Sequence, residues 1–301
     1  MKPVWRVLTV LVLAACTDKL PSGPAGVAGR LVFSTNRNGG QWDLYVMNPN
    51  GSSAGQVDPS LANDLWPNWS PDGNRIVFQS DRIPQAGDSV NYNIFLIHFD
   101  GTGLTKLTTD PANDIQPAWS PNGAKIAFAT DRDSGNFEVY VMDAAGTNPV
   151  RLTASAGEDG QPAWSPDGSK LAFATTRDSP VDSIPEIYEM NAADGSAPVN
   201  LTQNAATDVT PAWSPDGTKI AFASDRSGVL QIWVMNADGS NPQQLTRGSS
   251  PAEFPSWSPD GAEIAYDSDG HIWIMYADGS QPTRVTHQFS ADVIPRWRPT
   301  P

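Results

Sequence analysis

Short runs in which apolar and polar residues alternate recur along the chain. The clearest is Lys219-Ile220-Ala221-Phe222-Ala223-Ser224, whose period of two predicts a β-strand. Before it, Pro211 to Ser214 reads as a short strand, and Ser214-Pro215-Asp216-Gly217 reads as a turn with proline at its second position and glycine at its last. After it, Gln231-Ile232-Trp233-Val234-Met235 predicts a third strand. Asn236-Ala237-Asp238-Gly239 then turns the chain into a short fourth strand at Gln243 to Thr246. Four such strands in series, joined by turns, make one antiparallel blade of a propeller.

The same pattern repeats along nearly the whole chain. Trp-Ser-Pro-Asp-Gly begins at Trp69, Trp119 (with Asn122 for Asp), Trp164, Trp213 and Trp257, and a sixth tryptophan, Trp297, precedes Arg298 and Pro299. The intervals are 50, 45, 49, 44 and 40 residues, the size of a unit that buries its apolar face only by stacking on its neighbours. Second strands fall at Leu31 to Phe33, Ile76 to Phe78, Ile126 to Phe128, Leu171 to Phe173, Ile220 to Phe222 and Ile264 to Tyr266, which gives six blades. The first lacks a preceding Trp-Ser-Pro-Asp-Gly and the last tryptophan lacks a following second strand. The expected fold is therefore an all-β six-bladed propeller over 30–301, closed by a C-terminal strand that completes the N-terminal blade.

Composition narrows the class. The 39% apolar content supports a packed core, and 19 basic against 33 acidic residues give a net charge of −14, which disfavours nucleic acid as a partner. Residues 1–16 read as an export signal: Lys2 and Arg6 at the start, an apolar run from Val7 to Leu13, and too little length to span a bilayer. Leu13-Ala14-Ala15-Cys16 resembles the lipobox of bacterial lipoproteins, which implies lipidation at Cys16, the one cysteine of the chain. Residues 17–29 contain prolines and glycines with little apolar content and read as a flexible tether. Thr17 after the cysteine leans the sorting towards the outer membrane.

The repeat as a whole combines Pro-x-Trp-Ser-Pro-Asp-Gly, a Lys-Ile-Ala-Phe strand, an Asp-Arg such as Asp225-Arg226, a Val-Met-Asn-Ala-Asp-Gly such as Val234 to Gly239, and a Leu-Thr such as Leu245-Thr246. It resembles the propeller repeats of TolB (the WD40-like, or PD40, repeat) over about nine tenths of the chain, and it is shared by propellers attached to peptidases and by some lyases. TolB has an α/β domain ahead of its propeller, where this sequence shows a lipid signal and linker. The resemblance implies a monomeric interaction module of the cell envelope, in the periplasm, with an unidentified envelope protein as partner and the membrane reached through the lipid anchor.

Candidate site residues come from comparing the repeats. Asp64, Asp114, Asp159, Asp208 and Asp292 each stand five positions before a tryptophan, whereas Ala252 occupies that place before Trp257. Arg82, Arg132, Arg177 and Arg226 stand thirteen after a tryptophan, with Arg37 at the matching place in the closing blade, and the Trp257 repeat again has none. Joint loss in one repeat points to pairing within a blade, the arginine bracing the aspartate loop. The other reading is a carboxylate ring at the channel mouth that takes Ca²⁺ or a basic partner loop. The odd repeat, with the tight hairpin Ser268-Asp269-Gly270-His271 against longer loops at Asp81 to Tyr92 and Thr176 to Glu186, predicts a notch lined by Glu253, Asp267, Asp269 and His271, where ligand specificity begins. Trp66, two residues after Asp64, is the non-repeat tryptophan expected to be exposed; Trp42, Trp233 and Trp273 show no shared position.

Enzyme signatures are sparse. There is no Gly-x-Ser-x-Gly elbow, and His98, His271 and His287 are scattered without metal-ligand spacing. The sequence reading is a lipid-anchored envelope scaffold without a required cofactor, binding a partner on an acidic loop face around the channel. The alternative is a channel-mouth metal-dependent hydrolase or lyase acting on an envelope polysaccharide or small substrate.

Overall fold

A computed structural model of the chain describes residues 30–82, 91–133, 135–179 and 184–300. The predicted signal with Cys16, the tether, and the middles of the two long loops (83–90 and 180–183) lie outside the described residues. The rest forms 24 strands in six antiparallel sheets of four. Blade one is closed as the repeat count requires: Asp292–Trp297 pairs with Leu31–Thr35, which pairs in turn with Asp43–Met47 and the short strand Gly55–Gln56. Blades two to six begin with Asp64–Trp69, Asp114–Trp119, Asp159–Trp164, Asp208–Trp213 and Ala252–Trp257.

Blade five shows how the repeat builds a sheet. Its first strand is longer than the turn signals indicate, starting at Asp208, so the repeated aspartate is a strand residue and not part of a loop. Its fourth strand is shorter, with only Gln243 and Gln244 paired to the third. In the turn, Gly217 has φ +71°, open to glycine at little cost, and a Cβ there would lie 3.2 Å from Pro166 of the preceding blade. Ser214 Oγ accepts the Lys219 amide at 2.9 Å and donates to Asp216 Oδ1 at 2.6 Å. These bonds hold the Asp216 carboxyl below the usual carboxylate range.

Every first strand carries a bulge at the same place. Trp66, Gln116, Gln161, Thr210, Phe254 and Ile294 all have φ of 55–56°, and each precedes a proline. The ladder register breaks across each of these pairs. Proline has no amide hydrogen, so a break there strands no donor. The left-handed backbone at non-glycine residues, β-branched in Thr210 and Ile294, is strain held in place by the surrounding ring.

The core lies between blades. Six apolar clusters each join two neighbouring sheets; one packs Ile220, Phe222 and Met235 of blade five on Ala172, Ala174 and Ile187 of blade four. The second-strand phenylalanines at 33, 78, 128, 173 and 222 are fully buried in these layers.

Candidate functional site: loop face and channel

Five aspartates meet five arginines on one face of the ring. Arg37 reaches Asp292 at 2.7 Å, Arg82 reaches Asp64 at 2.6 Å, Arg132 reaches Asp114 at 2.7 Å, Arg177 reaches Asp159 at 3.0 Å and Arg226 reaches Asp208 at 2.9 Å. All five aspartates are wholly buried while the guanidinium groups keep a partial exposure. A Ser or Thr closing the second strand aims each arginine, as Ser224 Oγ does by accepting Arg226 Nε at 2.8 Å and Ser80 Oγ by accepting Arg82 Nε at 3.0 Å. Each guanidinium also lies over two rings, Phe222 and Trp233 for Arg226, Phe173 and Tyr188 for Arg177. Trp233 thus occupies the third-strand aromatic position shared by Tyr45, Phe95, Tyr140, Tyr188 and Trp273, a position the sequence reading had not assigned it.

The residue before the arginine does a second job. Asp81, Asp131 and Asp225 accept the amides of Asn63, Asn113 and Thr207 at 2.7–2.8 Å, so an Asp-Arg pair fastens both the incoming loop and the strand it enters. Burial raises the carboxyl pKa of Asp64, Asp114 and Asp159, the last to about 6, against the opposing pull of their arginines. Among the described residues no three Asp, Glu, His or Cys side chains converge as a metal-sized group.

Blade six departs at both ends of the brace. Ala252 replaces the aspartate and Gly270 the arginine, while Ser268 Oγ, freed from aiming a guanidinium, donates to Pro251 O at 2.8 Å. Tyr266 and Trp273 remain without a guanidinium between them and line a groove of about 360 Å³ with Thr246 and Arg247. The residues predicted to line the notch do not share one surface. Asp269 is exposed in the hairpin with φ +56°, His271 is half-buried with a buried, unpartnered Nδ1, and Asp267 is buried beneath. Asp267 faces inward because its carboxyl accepts the Ile294 amide of blade one; burial, and then Glu253 opposite it, drive its pKa well up. Glu253 is half-buried and raised by burial.

At the channel, side chains of one blade hold the bulge of the next. Gln79 Oε1 accepts the Gln116 amide at 2.8 Å, Gln116 Oε1 the Gln161 amide at 2.8 Å, and Gln161 Oε1 the Thr210 amide at 2.7 Å. Asp267 does the same for Ile294. Among the described residues the Trp66 and Phe254 amides have no such side-chain acceptor, and these two rings instead meet edge to face at 5.2 Å across intervening blade one. Trp66 is half-buried in that contact. A cavity of about 220 Å³ lies on the tryptophan side of the bulge layer, walled by the last four positions of several first strands and by Pro215 of a turn. Trp164, Trp213 and Trp257 are half-buried on its wall. Sequence reasoning missed this relay and Arg296 in the cavity; the signal was Gln116 and Gln161 before the motif proline, and an arginine where other repeats have Asn68, Ala118, Ala163, Ala212 and Ser256.

Residues 154–269 match the family model of the TolB beta propeller domain, and residues 70–204 match that of the dipeptidyl peptidase IV N-terminal region. No curated protein matches the sequence. Among solved structures, TolB from Acinetobacter baumannii superposes with a TM-score of 0.75 at 24% identity, covering 90% of this chain and 67% of that one. A putative TolB from Agrobacterium tumefaciens gives 0.71 at 22%, covering 91% and 100%. A chain of the nidogen/laminin complex gives 0.71 at 11%, covering 90% and 98%. Repeat, ring closure and these likenesses together identify the fold as a six-bladed β-propeller similar to that of TolB.

Proposed function

We propose that the chain is a lipid-anchored scaffold of the cell envelope that docks a partner protein on the braced loop face, with Cys16 as the anchor and 17–29 as the tether. One observation carries the choice of face. Leu61 and Phe289 stand 93% and 112% exposed, and they lie on the two loops that flank blade one, residues 57–63 and 285–291. Large apolar side chains fully in water beside loops clamped by buried ion pairs favour a rigid docking surface with apolar anchors. The blade-six hairpin borders it, and its exposed Asp269 supplies negative charge for a basic flank on the partner. The repeated carboxylates themselves, being buried on arginines, are structural in this reading, and a Ca²⁺ there competes with its own brace.

The test is affinity capture from solubilised envelope using four proteins: wild type, L61S/F289S, E253A/D269A, and Y276S, which changes an exposed ring at the end of a third strand. A protein held by wild type and Y276S and lost by L61S/F289S supports the reading. Retention by all four moves the site off this face, and no specific protein on wild type sinks the scaffold role.

A further inference from the structure

We propose that the channel cavity on the tryptophan side is a binding site for a small oxyanion, a carboxylate or phosphate group, held by Arg296 and the side-chain amides of Asn68, Gln116 and Gln161. One half of each polar group here is already used. Gln116 and Gln161 give their oxygens to the bulge amides of the next blade, and Asn68 Oδ1 accepts the Trp119 amide at 2.9 Å. An amide hydrogen accepts nothing, so these bonds fix which way each carboxamide is turned. The NH₂ group of all three is then left over, without a protein acceptor among the described residues, on side chains that wall the cavity. Ser256 follows the same rule: its Oγ accepts the Trp297 amide at 3.2 Å, which leaves its hydrogen to donate.

Arg296 adds the charge. Its Nη1 donates to Pro295 O at 3.0 Å, and among the described residues it forms no ion pair within 4.0 Å. No aspartate or glutamate is among the described residues of the cavity wall, in a protein whose net charge is −14. The one carboxyl that acts on this guanidinium, Asp267, lies beyond ion-pair distance behind the wall and is pushed towards its neutral form by burial, so a partly desolvated cation with carboxamide and hydroxyl donors around it is complementary to an oxyanion. The cavity, at about 220 Å³, holds several water volumes but not a drug-sized molecule, which limits the ligand to a few heavy atoms or to the end of a longer one. This site faces away from the braced loops, so it stands whether or not a protein docks there.

The experiment titrates the full chain in detergent, in a zwitterionic buffer, with sodium succinate and separately with inorganic phosphate, read by calorimetry and by thermal unfolding. Wild type is expected to saturate with at least one of them and to melt higher when it does. R296M should weaken binding about tenfold or more. Q161E keeps an oxygen for the Thr210 amide, so it should still unfold cooperatively, though below wild type because the new carboxyl is buried, and lose binding through like-charge repulsion. Succinate alone identifies a carboxylate ligand and phosphate alone a phosphoryl one; either supports the site. If neither anion saturates wild type, or if both variants bind as wild type does, the proposal is wrong.

Discussion

Blades five and six have the same four strands in the same register, Trp213 opposite Ile220 in one and Trp257 opposite Ile264 in the other, yet they are tied into the ring at different places. Blade five is fastened at its rim, where Asp208, Arg226 and Ser224 form one bonded unit over Phe222 and Trp233. Blade six has no rim brace and is fastened at the channel, through Asp267 on the Ile294 amide and Phe254 against Trp66. The difference separates two jobs that the other five blades combine. Strand pairing and interblade packing suffice to make a blade, because blade six has both; the buried ion pair fixes the loop above it.

The largest test breaks the rim brace. R226A leaves the Asp208 carboxylate buried with no guanidinium, and a cost of about 3–5 kcal/mol is expected for removing one partner of a buried pair. D208A strands a partly exposed arginine and should cost less. The double variant should lose clearly less than the two singles summed, measured by denaturant unfolding; additive losses would refute the coupling. Stabilities that sit at the wild-type value throughout would mean blade five is held as blade six is.

Much of this was legible in the sequence, for a physical reason. The aspartate and the arginine are eighteen residues apart in blades two to five, always together, and absent together at Ala252 and Gly270. A covarying pair inside one chain is as direct a sign of contact as repeats can give. Blade count and closure were equally readable, since Trp297 and Leu31 supply complementary halves. The channel was not. Its walls come from one position per blade, so no local pattern marks them, and the residue before a proline ordinarily reads as extended strand, whereas here Gln116 and Gln161 turn left-handed to place their side chains under the next blade. In the sequence Asp267 reads as a surface residue because its neighbours Ser268 to Gly270 form a turn; strand alternation places it on the interblade side instead.

A smaller effect distinguishes the two fastenings by pH. Burial sets the Asp159 carboxyl at about 6, above the ~3.9 of an unfolded chain, so the folded state binds this proton more tightly. The ionised form of this group therefore costs stability, the cost being fully present above pH 6 and relieved as pH falls from about 6 towards 4. D159N should remove that gain, of order 3 kcal/mol, from the pH dependence of unfolding while leaving the contribution of Glu253 and Asp267, which are raised in the same direction in blade six. An unchanged profile in D159N would show that Arg177 cancels the effect of burial, and a change of opposite sign that it outweighs it.

The smallest effect concerns the channel tie of blade six. Trp66 and Phe254 belong to blades two and six, and their edge-to-face contact spans blade one, the blade in which the two chain ends close the ring. Aromatic contacts of this kind contribute about 0.5–1.5 kcal/mol beyond the area they bury. W66L and F254L keep apolar bulk in the channel, so each single change mainly removes the ring contact. A double-mutant cycle should return a coupling near 1 kcal/mol. The cycle repeated between Trp66 and Phe222, a blade-five ring at the rim, should return none, because distant independent sites add. Coupling of zero in the first cycle would leave Asp267 as the channel tie of blade six. D267N should then have the larger consequence, since it keeps an oxygen for the Ile294 amide and removes a carboxyl that burial and Glu253 both disfavour as an ion; its stability should rise at neutral pH relative to wild type.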